Sequence, residues 1–425
     1  MPKIPELGEH SFLVYGLGLS GCSVVKFFKN KGLSNFKVWD DKQKNIFKRY
    51  RAKNLNKTLK EVDFIILSPG VSLLQNKHLR KFNNKIITDI DLFYLSKKNF
   101  RSIVVTGSNG KSTTCKLLNH LLKKNKLRSL LGGNIGNPIL NLKNVENSFV
   151  VIEASSFQLS HSKFIRPDFA FFLNIANDHI DWHGSMKNYL NAKFKIFQLQ
   201  NKNQYALTNK LFKTIFKKRK FSSRLIFPEM SNYRKIKFKI NNPYLNSSIN
   251  DENMSFIFAF SKLINLSQKS FLKAMESFKG LPHRFEIFLI KKGLTFIDDS
   301  KATSFTATQT AISSLKNIFW ILGGLPKKGD IINLSKYKKN IIKAYIIGKN
   351  INFFKKQLRG KILFSISKNL KKAIIQVLED FKSYKIKNCN ILLSPSAASF
   401  DQYKNFEVRG KEFKNLSKFH ARKFL

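Results

Sequence analysis

Cysteine is scarce in this chain of 425 residues: Cys22, Cys115 and Cys389 are three in all, odd in number and far apart. That pattern excludes a disulfide framework and a thiolate zinc centre. It suits a reducing compartment, so a cytoplasmic protein is expected. Long apolar runs are missing too. No stretch approaches the ~18–20 residues that span a bilayer. The opening Met1-Pro2-Lys3-Ile4-Pro5-Glu6 has no signal-type apolar segment, and no membrane insertion is expected. Internal repeats and low-complexity linkers are absent. Acidic residues are few, 26 against 77 lysines and arginines, for a net charge of +51. Such an excess invites a nucleic-acid reading. The lysines, however, are spread through every segment, and Lys, Asn, Ile and Phe are abundant together, as an AT-rich coding bias produces. A solvated lysine surface is the simpler account: it attracts anionic substrates and implies no specific nucleic acid.

What is present is α/β patterning over a length that suits two to four domains. The most informative segment is Thr106-Gly107-Ser108-Asn109-Gly110-Lys111-Ser112-Thr113, which follows the apolar run Ser102-Ile103-Val104-Val105. A buried strand, a glycine turn and a Lys-Ser-Thr helix start form a phosphate-binding loop. Glycines let backbone N–H groups converge on phosphate oxygens, and the helix N-terminus adds partial positive charge. Lys111 can reach the β- and γ-phosphates of ATP, and the Ser112 or Thr113 hydroxyl can hold Mg²⁺. The first glycine of the general pattern is Val105 here, so the loop is a variant form.

Ahead of it lies a βαβ pattern. Strand Phe12–Tyr15 runs into Gly16-Leu17-Gly18-Leu19-Ser20-Gly21 and a helix through Lys29. A second strand, 36–39, ends at Asp40-Asp41, and a third, 63–67, at Ser68-Pro69-Gly70. The glycine turn recognises a pyrophosphate. With no residues for hydride chemistry, a diphosphate other than NAD fits better. Downstream, strand 148–152 delivers Glu153, and 169–174 leads to Asn177-Asp178-His179. Glu153 should emerge at its strand's C-terminal edge beside the phosphate loop, as a magnesium ligand requires. Residues 210–248 are Lys-rich with weak periodicity and are expected to form short strands and loops. After Gly280 a third α/β unit contains strands at 295–297, 318–322, 344–347 and 390–393. His179 and Lys193 would pass, on their own patterns, for a loop histidine and a surface lysine.

Further strings are Gly132-Gly133-Asn134-Ile135-Gly136, Glu153-Ala154-Ser155-Ser156-Phe157-Gln158-Leu159 and Leu281-Pro282-His283-Arg284-Phe285-Glu286. Asp298-Asp299-Ser300-Lys301-Ala302-Thr303 follows, then Leu393-Ser394-Pro395-Ser396-Ala397-Ala398-Ser399-Phe400-Asp401-Gln402-Tyr403. In order and spacing these segments, with the glycine turns, resemble the Mur ligases, which build the peptidoglycan stem peptide. The last block, with Asn405-Phe406 and Arg409-Gly410, is most similar to the branch that adds D-glutamate to UDP-N-acetylmuramoyl-L-alanine. The resemblance implies three domains: a Rossmann-like one over 1–95, a central P-loop ATPase-type α/β domain over 96–280, and a Rossmann-like α/β domain over 281–425. The third would close on ATP by hinges near 95 and 280.

The resemblance also implies roles. Gly107, Ser108, Asn109, Gly110, Lys111, Ser112 and Thr113 would bind ATP phosphates, and Asn250 and Asn253, i and i+3 on one helix face, the adenine. His283, Arg284, Asp299 and Lys301 would reach the nucleotide from the third domain. Ser112, Glu153, His179 and a carbamylated Lys193 would hold two Mg²⁺ ions, with Lys111, His179 and Lys193 the catalytic set. Gly16, Gly18, Ser20, Ser68 and Gly70 would hold the UDP moiety, and Asn134 would contact the same substrate. Thr303, Lys327, Ser399 and Phe406 would take D-glutamate. Departures from the family pattern are Ser304 for Asn, Leu325-Pro326 for Asp-Gly, and Asp40-Asp41-Lys42 for Asp-Thr-Arg at the uridine site. A monomer is expected. The alternatives are another Mur-type ligase, a folylpolyglutamate synthase or, remotely, a basic nucleic-acid-binding protein.

Overall fold

The computed structural model describes residues 7–246, 250–327, 329–384, 386 and 388–424. The opening six residues considered above lie outside them, as do the last two of segment 210–248. Three sheets form, each from apolar runs that hydrophobic burial drives between helical layers. The first contains β1 (Phe12–Tyr15), β2 (Phe36–Trp39), β3 (Phe64–Leu67) and β4 (Ile86–Ile87), in the order β2-β1-β3-β4, all parallel. The second contains β5 (Arg101–Thr106), β6 (Ser129–Gly133), β7 (Phe149–Glu153), β8 (Phe169–Phe172), β9 (Tyr205–Thr208) and β10 (Arg224–Ile226). Its order is β10-β9-β8-β5-β7-β6, again parallel throughout. Strands covered on both faces read as unbroken apolar runs, and β1, β7 and β8 are buried at every position.

The third sheet contains β11 (Glu286–Lys291), β12 (Leu294–Asp298), β13 (Ile318–Gly323), β14 (Ile341–Ile347), β15 (Phe364–Lys368) and β16 (Cys389–Leu393). The order is β11-β12-β16-β13-β14-β15, with only the edge pair β11/β12 antiparallel. This is the α/β class expected from the sequence, with one sheet in each of its three predicted regions. By contact density the chain forms two compact units. One comprises Met1–Ile236 and Glu252–Glu276, the other Lys237–Asp251 and Ser277–Leu425. In the first unit one apolar cluster runs from Phe12 and Val25 through Phe93 and Val104 to Phe172 and Phe216, so the first two sheets share a core.

The Lys-rich segment differs from expectation. It holds helices Lys213–Lys218, Met230–Lys237 and Pro243–Asn246 with a single short strand, β10. Phe216, Tyr233 and Ile236 turn inward while the lysines face water, an amphipathic arrangement that weak periodicity concealed. Two helices elsewhere start at reciprocal caps that the sequence supplies. Thr88 and Asp91 form a reciprocal capping box, as do Ser155 and Gln158.

Candidate active site

β5 is an inner strand, and the chain leaves its C-terminal edge through Gly107-Ser108-Asn109-Gly110 into the helix Lys111–Lys124. Gly110 has φ 81°, and a Cβ there would lie 2.2 Å from Asn253 Oδ1. Only glycine fits. Val105, where the general pattern has glycine, is buried inside β5 in register with Glu153, so the strand carries on and the turn begins two residues later. The turn is pinned from the exit of β8. Asn174 Oδ1 accepts from Asn109 N (3.0 Å), its carbonyl accepts from Ser108 N (3.1 Å), and its amide donates to Glu252 Oε2 (2.7 Å). Ser108 Oγ lies 2.9 Å from Tyr189 Oη and accepts from Ala176 N at 2.9 Å. Neither Asn174 nor Glu252 was singled out from sequence. Asn174 carried one signal, its position directly after a buried strand.

Two amines converge on one carbonyl. Lys111 Nζ donates to Gly107 O (2.7 Å) and Ser108 O (2.9 Å), and Lys193 Nζ donates to Gly107 O (2.9 Å). Lys193 is 1% exposed and lies 4.6 Å from the centre of the Tyr189 ring. Burial, reinforced by the Lys111 charge, holds its ammonium well below the ordinary lysine range. The helix Met186–Phe194 therefore buries the residue that its pattern presented as surface.

Glu153 ends β7 and pairs in register with Val105 and Gly133, which places its carboxylate beside the phosphate loop. It is 2% exposed. Oε1 accepts from Asn134 Nδ2 at 3.1 Å, while Oε2 is buried without a partner among the described residues. A buried carboxylate oxygen with no donor is a costly arrangement that a hard cation relieves. His179 begins the short helix Ile180–His183 in the left-handed region, φ 56°, with Asp178 Oδ2 at 3.5 Å from Nε2 and the Phe157 ring at 4.7 Å. Asn253 accepts from Thr114 Oγ1 at 3.3 Å in the first turn of the helix Asp251–Leu263. Asn250 stands just ahead of that helix and donates to Tyr244 O.

The first glycine turn borders a second concavity, of about 660 Å³. Gly16, Gly18, Ser20, Ser68 and Gly70 line it from the first sheet, and Asn134 from the second. Gly21 sits so near Gly16 that a Cβ would lie 1.8 Å from its carbonyl. At the rim Asp40 accepts from the amides of Leu17 (2.6 Å), Gln43 (2.7 Å) and Lys42 (2.8 Å). Burial opposes its charge, but these donors prevail and hold the carboxyl below its usual range. Asp41 binds Tyr15 Oη (3.0 Å) and Trp39 Nε1 (2.9 Å).

In the second unit the strand ends of the third sheet gather another set. Asp299 accepts from Ser394 Oγ (2.7 Å) and Phe285 N (3.2 Å), and burial pushes its carboxyl up to about 7. Lys301 Nζ stands 3.7 Å from the centre of the Phe406 ring. Leu325 pairs through its backbone with Ala398 in both directions, which ties the segment before Lys327 to that of Ser399. Arg409 is 1% exposed and joins three strand ends. It donates to Ser300 Oγ (3.0 Å), Ser300 O (2.8 Å), Ala397 O (3.1 Å) and Gly323 O (3.4 Å). Ser300 Oγ in turn donates to Phe406 O at 2.9 Å. His283 Nδ1 lies 2.6 Å from Asp298 Oδ2. Thr303 and Arg284 fall on the loops flanking this cluster.

A glycine turn and Lys-Ser-Thr helix on an inner parallel strand, beside a carboxylate from the next strand, define the phosphate-loop α/β class. The chain belongs to the Mur ligase family, on its MurD-like branch. The family model for the Mur ligase middle domain matches residues 105–265, and that for the MurD-like N-terminal domain matches residues 10–88. A UDP-N-acetylmuramoylalanine--D-glutamate ligase of Rickettsia prowazekii (strain Madrid E) is 37% identical, over 96% of this chain and 97% of its own length. One from Wolbachia sp. subsp. Brugia malayi (strain TRS) is 33% identical over 97% and 96%. Among solved structures, MurF ligase from Thermotoga maritima in complex with ADP aligns with a TM-score of 0.59 at 17% identity. It covers 100% of this chain and 97% of that one. UDP-N-acetylmuramate-alanine ligase MurC from the same organism gives 0.56 at 16% identity, covering 97% and 100%. These two support the fold alone.

Proposed function

We propose that this chain is an ATP-dependent ligase that joins D-glutamate to UDP-N-acetylmuramoyl-L-alanine in cytoplasmic peptidoglycan precursor synthesis, acting as a monomer. The observation that carries the reading is near full-length similarity to ligases of that name. In the reaction a carboxylate oxygen of the L-alanyl group takes the γ-phosphoryl group of ATP, giving an acyl phosphate and ADP. The amine of D-glutamate then attacks the carbonyl carbon and loses a proton, and inorganic phosphate leaves as the amide forms.

The phosphate-loop amides and Lys111 offset the negative charge of the transferring phosphoryl group. Burial disfavours the ammonium form of Lys193, which favours the free electron pair needed to bond CO₂. The neutral amine loses one proton on carbamate formation and leaves a single negative charge shared by two oxygens. Ser112, Glu153, His179 and carbamylated Lys193 would hold two Mg²⁺ ions, and the partnerless Glu153 Oε2 supports that fit. When bound, magnesium supplies electrostatic stabilisation of phosphoryl oxygens. The cavity lined by Gly16, Gly18, Ser20, Ser68, Gly70 and Asn134 suits the UDP-sugar. Asn250, Asn253, Arg284, Asp299 and Lys301 act on the nucleotide, and Thr303, Lys327, Ser399 and Phe406 on D-glutamate. Phosphate release with UDP-N-acetylmuramoyl-L-alanine, with and without D-glutamate and against a panel of other amino acids, tests the proposal. Release that depends on a different amino acid overturns the substrate assignment.

A further inference from the structure

The phosphate loop is held by a side-chain amide that has two different ends. Asn174 presents Oδ1 to Asn109 N (3.0 Å) and its main-chain carbonyl to Ser108 N (3.1 Å). Those two loop amides are thereby taken, so Asn174 acts on a phosphate through the course of the loop and not by contact. Flipped end for end, the same side chain would set Nδ2 against Asn109 N–H, donor against donor, and the pin would be lost. The loop therefore depends on whatever fixes the orientation of this amide.

Glu252 stands where it can do so. It lies in the first turn of the helix Asp251–Leu263, and its Oε2 accepts from Asn174 Nδ2 at 2.7 Å. An ionised carboxylate accepts only, so Asn174 turns Nδ2 toward Glu252 and Oδ1 toward the loop. The Asn209 side chain also hydrogen-bonds to Glu252, while its Oδ1 accepts from Leu211 N at 3.1 Å. Asn174 lies at the exit of β8 and Asn209 directly follows β9, so one carboxylate orients the asparagines that leave two neighbouring strands. Burial raises the Glu252 carboxyl above its ordinary value, and both amides oppose the rise. The next residue, Asn253, abuts Gly110 and accepts from Thr114 Oγ1 at 3.3 Å. One helix turn thus meets the loop region directly through Asn253 and at one remove through Glu252.

From this geometry we infer that Glu252 is a positioning residue of the phosphate loop: acting through Asn174, it holds the loop in the course that receives a nucleoside diphosphate. A loop ordered in advance binds more tightly than one the ligand must order. The inference rests on the phosphate-loop reading of the site and not on which amino acid is joined.

The test is calorimetric titration of the full chain with ADP, run below the melting transition of each variant so that the affinity refers to folded protein. Asn174→Asp sets two carboxylates at hydrogen-bond distance, and Glu252→Met removes the acceptor. Each should weaken ADP by about tenfold or more, the scale of a lost hydrogen bond to a charged group. Asn174→Asp combined with Glu252→Gln restores the pair with its polarity reversed. The new amide donates to the new carboxylate, whose other oxygen still accepts from Asn109 N. This double variant should bind ADP at least about fivefold more tightly than Asn174→Asp alone, as coupled partners do. Unmodified affinity in either single variant overturns the inference, and so does a double variant no better than Asn174→Asp. A lowered melt with unchanged ADP affinity, the mark of a purely structural contact, overturns it as well. Glu252→Met decides alone if Asn174→Asp does not fold. An unmodified chain that binds no ADP overturns the phosphate-loop reading and the inference with it, whereas ADP binding indifferent to these variants overturns the inference alone.

Discussion

Replacing Lys193 by methionine separates two properties that usually fall together, activity and stability. Among the described residues the amine makes one hydrogen bond, to Gly107 O, and that carbonyl, which also accepts from Lys111 Nζ at 2.7 Å, keeps that donor when Lys193 is gone. Losing the bond costs about 0.5–1.5 kcal/mol. Against this, methionine preserves the apolar stem and removes an amine that is buried and next to another cation. Each pH unit by which that site displaces the protonation equilibrium is worth about 1.4 kcal/mol. The displacement is large and downward. Lys193→Met should therefore melt no lower than the unmodified chain near neutral pH. Between the depressed folded value and the unfolded value of about 10.4, only the unfolded chain binds the proton. Stability of the unmodified chain thus rises with pH in that window, and the variant's advantage shrinks. Phosphate release should nonetheless fall by about 10²-fold or more, since the group that captures CO₂ is absent. Acetate should restore part of it by supplying carboxylate oxygens. The assays are thermal melts across pH and initial rates in bicarbonate-free buffer with and without acetate. Near-normal rates would refute the catalytic role, and a melting point lowered by several degrees would refute the energetic argument.

Three further predictions use other parts of the two units. Lys111→Ala should lose about 10²-fold or more in turnover while keeping its fold, measured by phosphate release and circular dichroism. Ser399→Ala should raise the D-glutamate KM by an amount equivalent to roughly 1.5–3 kcal/mol, with the ATP KM nearly unchanged; the reverse pattern would mean the pocket is misplaced. Arg409→Lys retains the charge but cannot reach Ser300, Ala397 and Gly323 together. It should destabilise the second unit by about 2–4 kcal/mol in urea unfolding, and an unchanged midpoint would show that those carbonyls need no guanidinium.

Much of the architecture was readable because parallel strands buried on both faces leave continuous apolar runs. Strands at 12–15, 36–39 and 318–322 lie where the runs placed them. The misses share a cause. β6 ends in Gly132-Gly133, β4 is two residues long, and β11 is half-exposed at the edge of its sheet, so none presents a sustained run. The phosphate loop was legible because its chemistry needs glycine at set positions. Lys193 was not, since a lone lysine in an amphipathic helix has the same pattern whether it meets solvent or an interior carbonyl. Arg409 is similar: it is held by the Ser300, Gly323 and Ala397 carbonyls, which converge only after the third sheet forms.

Strand order gives the two larger sheets different histories during synthesis. In the second sheet the inner strand β5 is the first made, β6 waits at the edge for β7, and β7, β8, β9 and β10 each find a neighbour already present. In the third, β16 is the last strand of the chain and lies between β12 and β13. Until residue 393 is available, β11 with β12 and β13 with β14 and β15 are two fragments with unpaired edges facing a gap, the kind of edge that recruits strands from other chains. A nascent chain halted before Cys389 should therefore depend on chaperones, whereas one halted after Phe278 already contains every strand of the first two sheets.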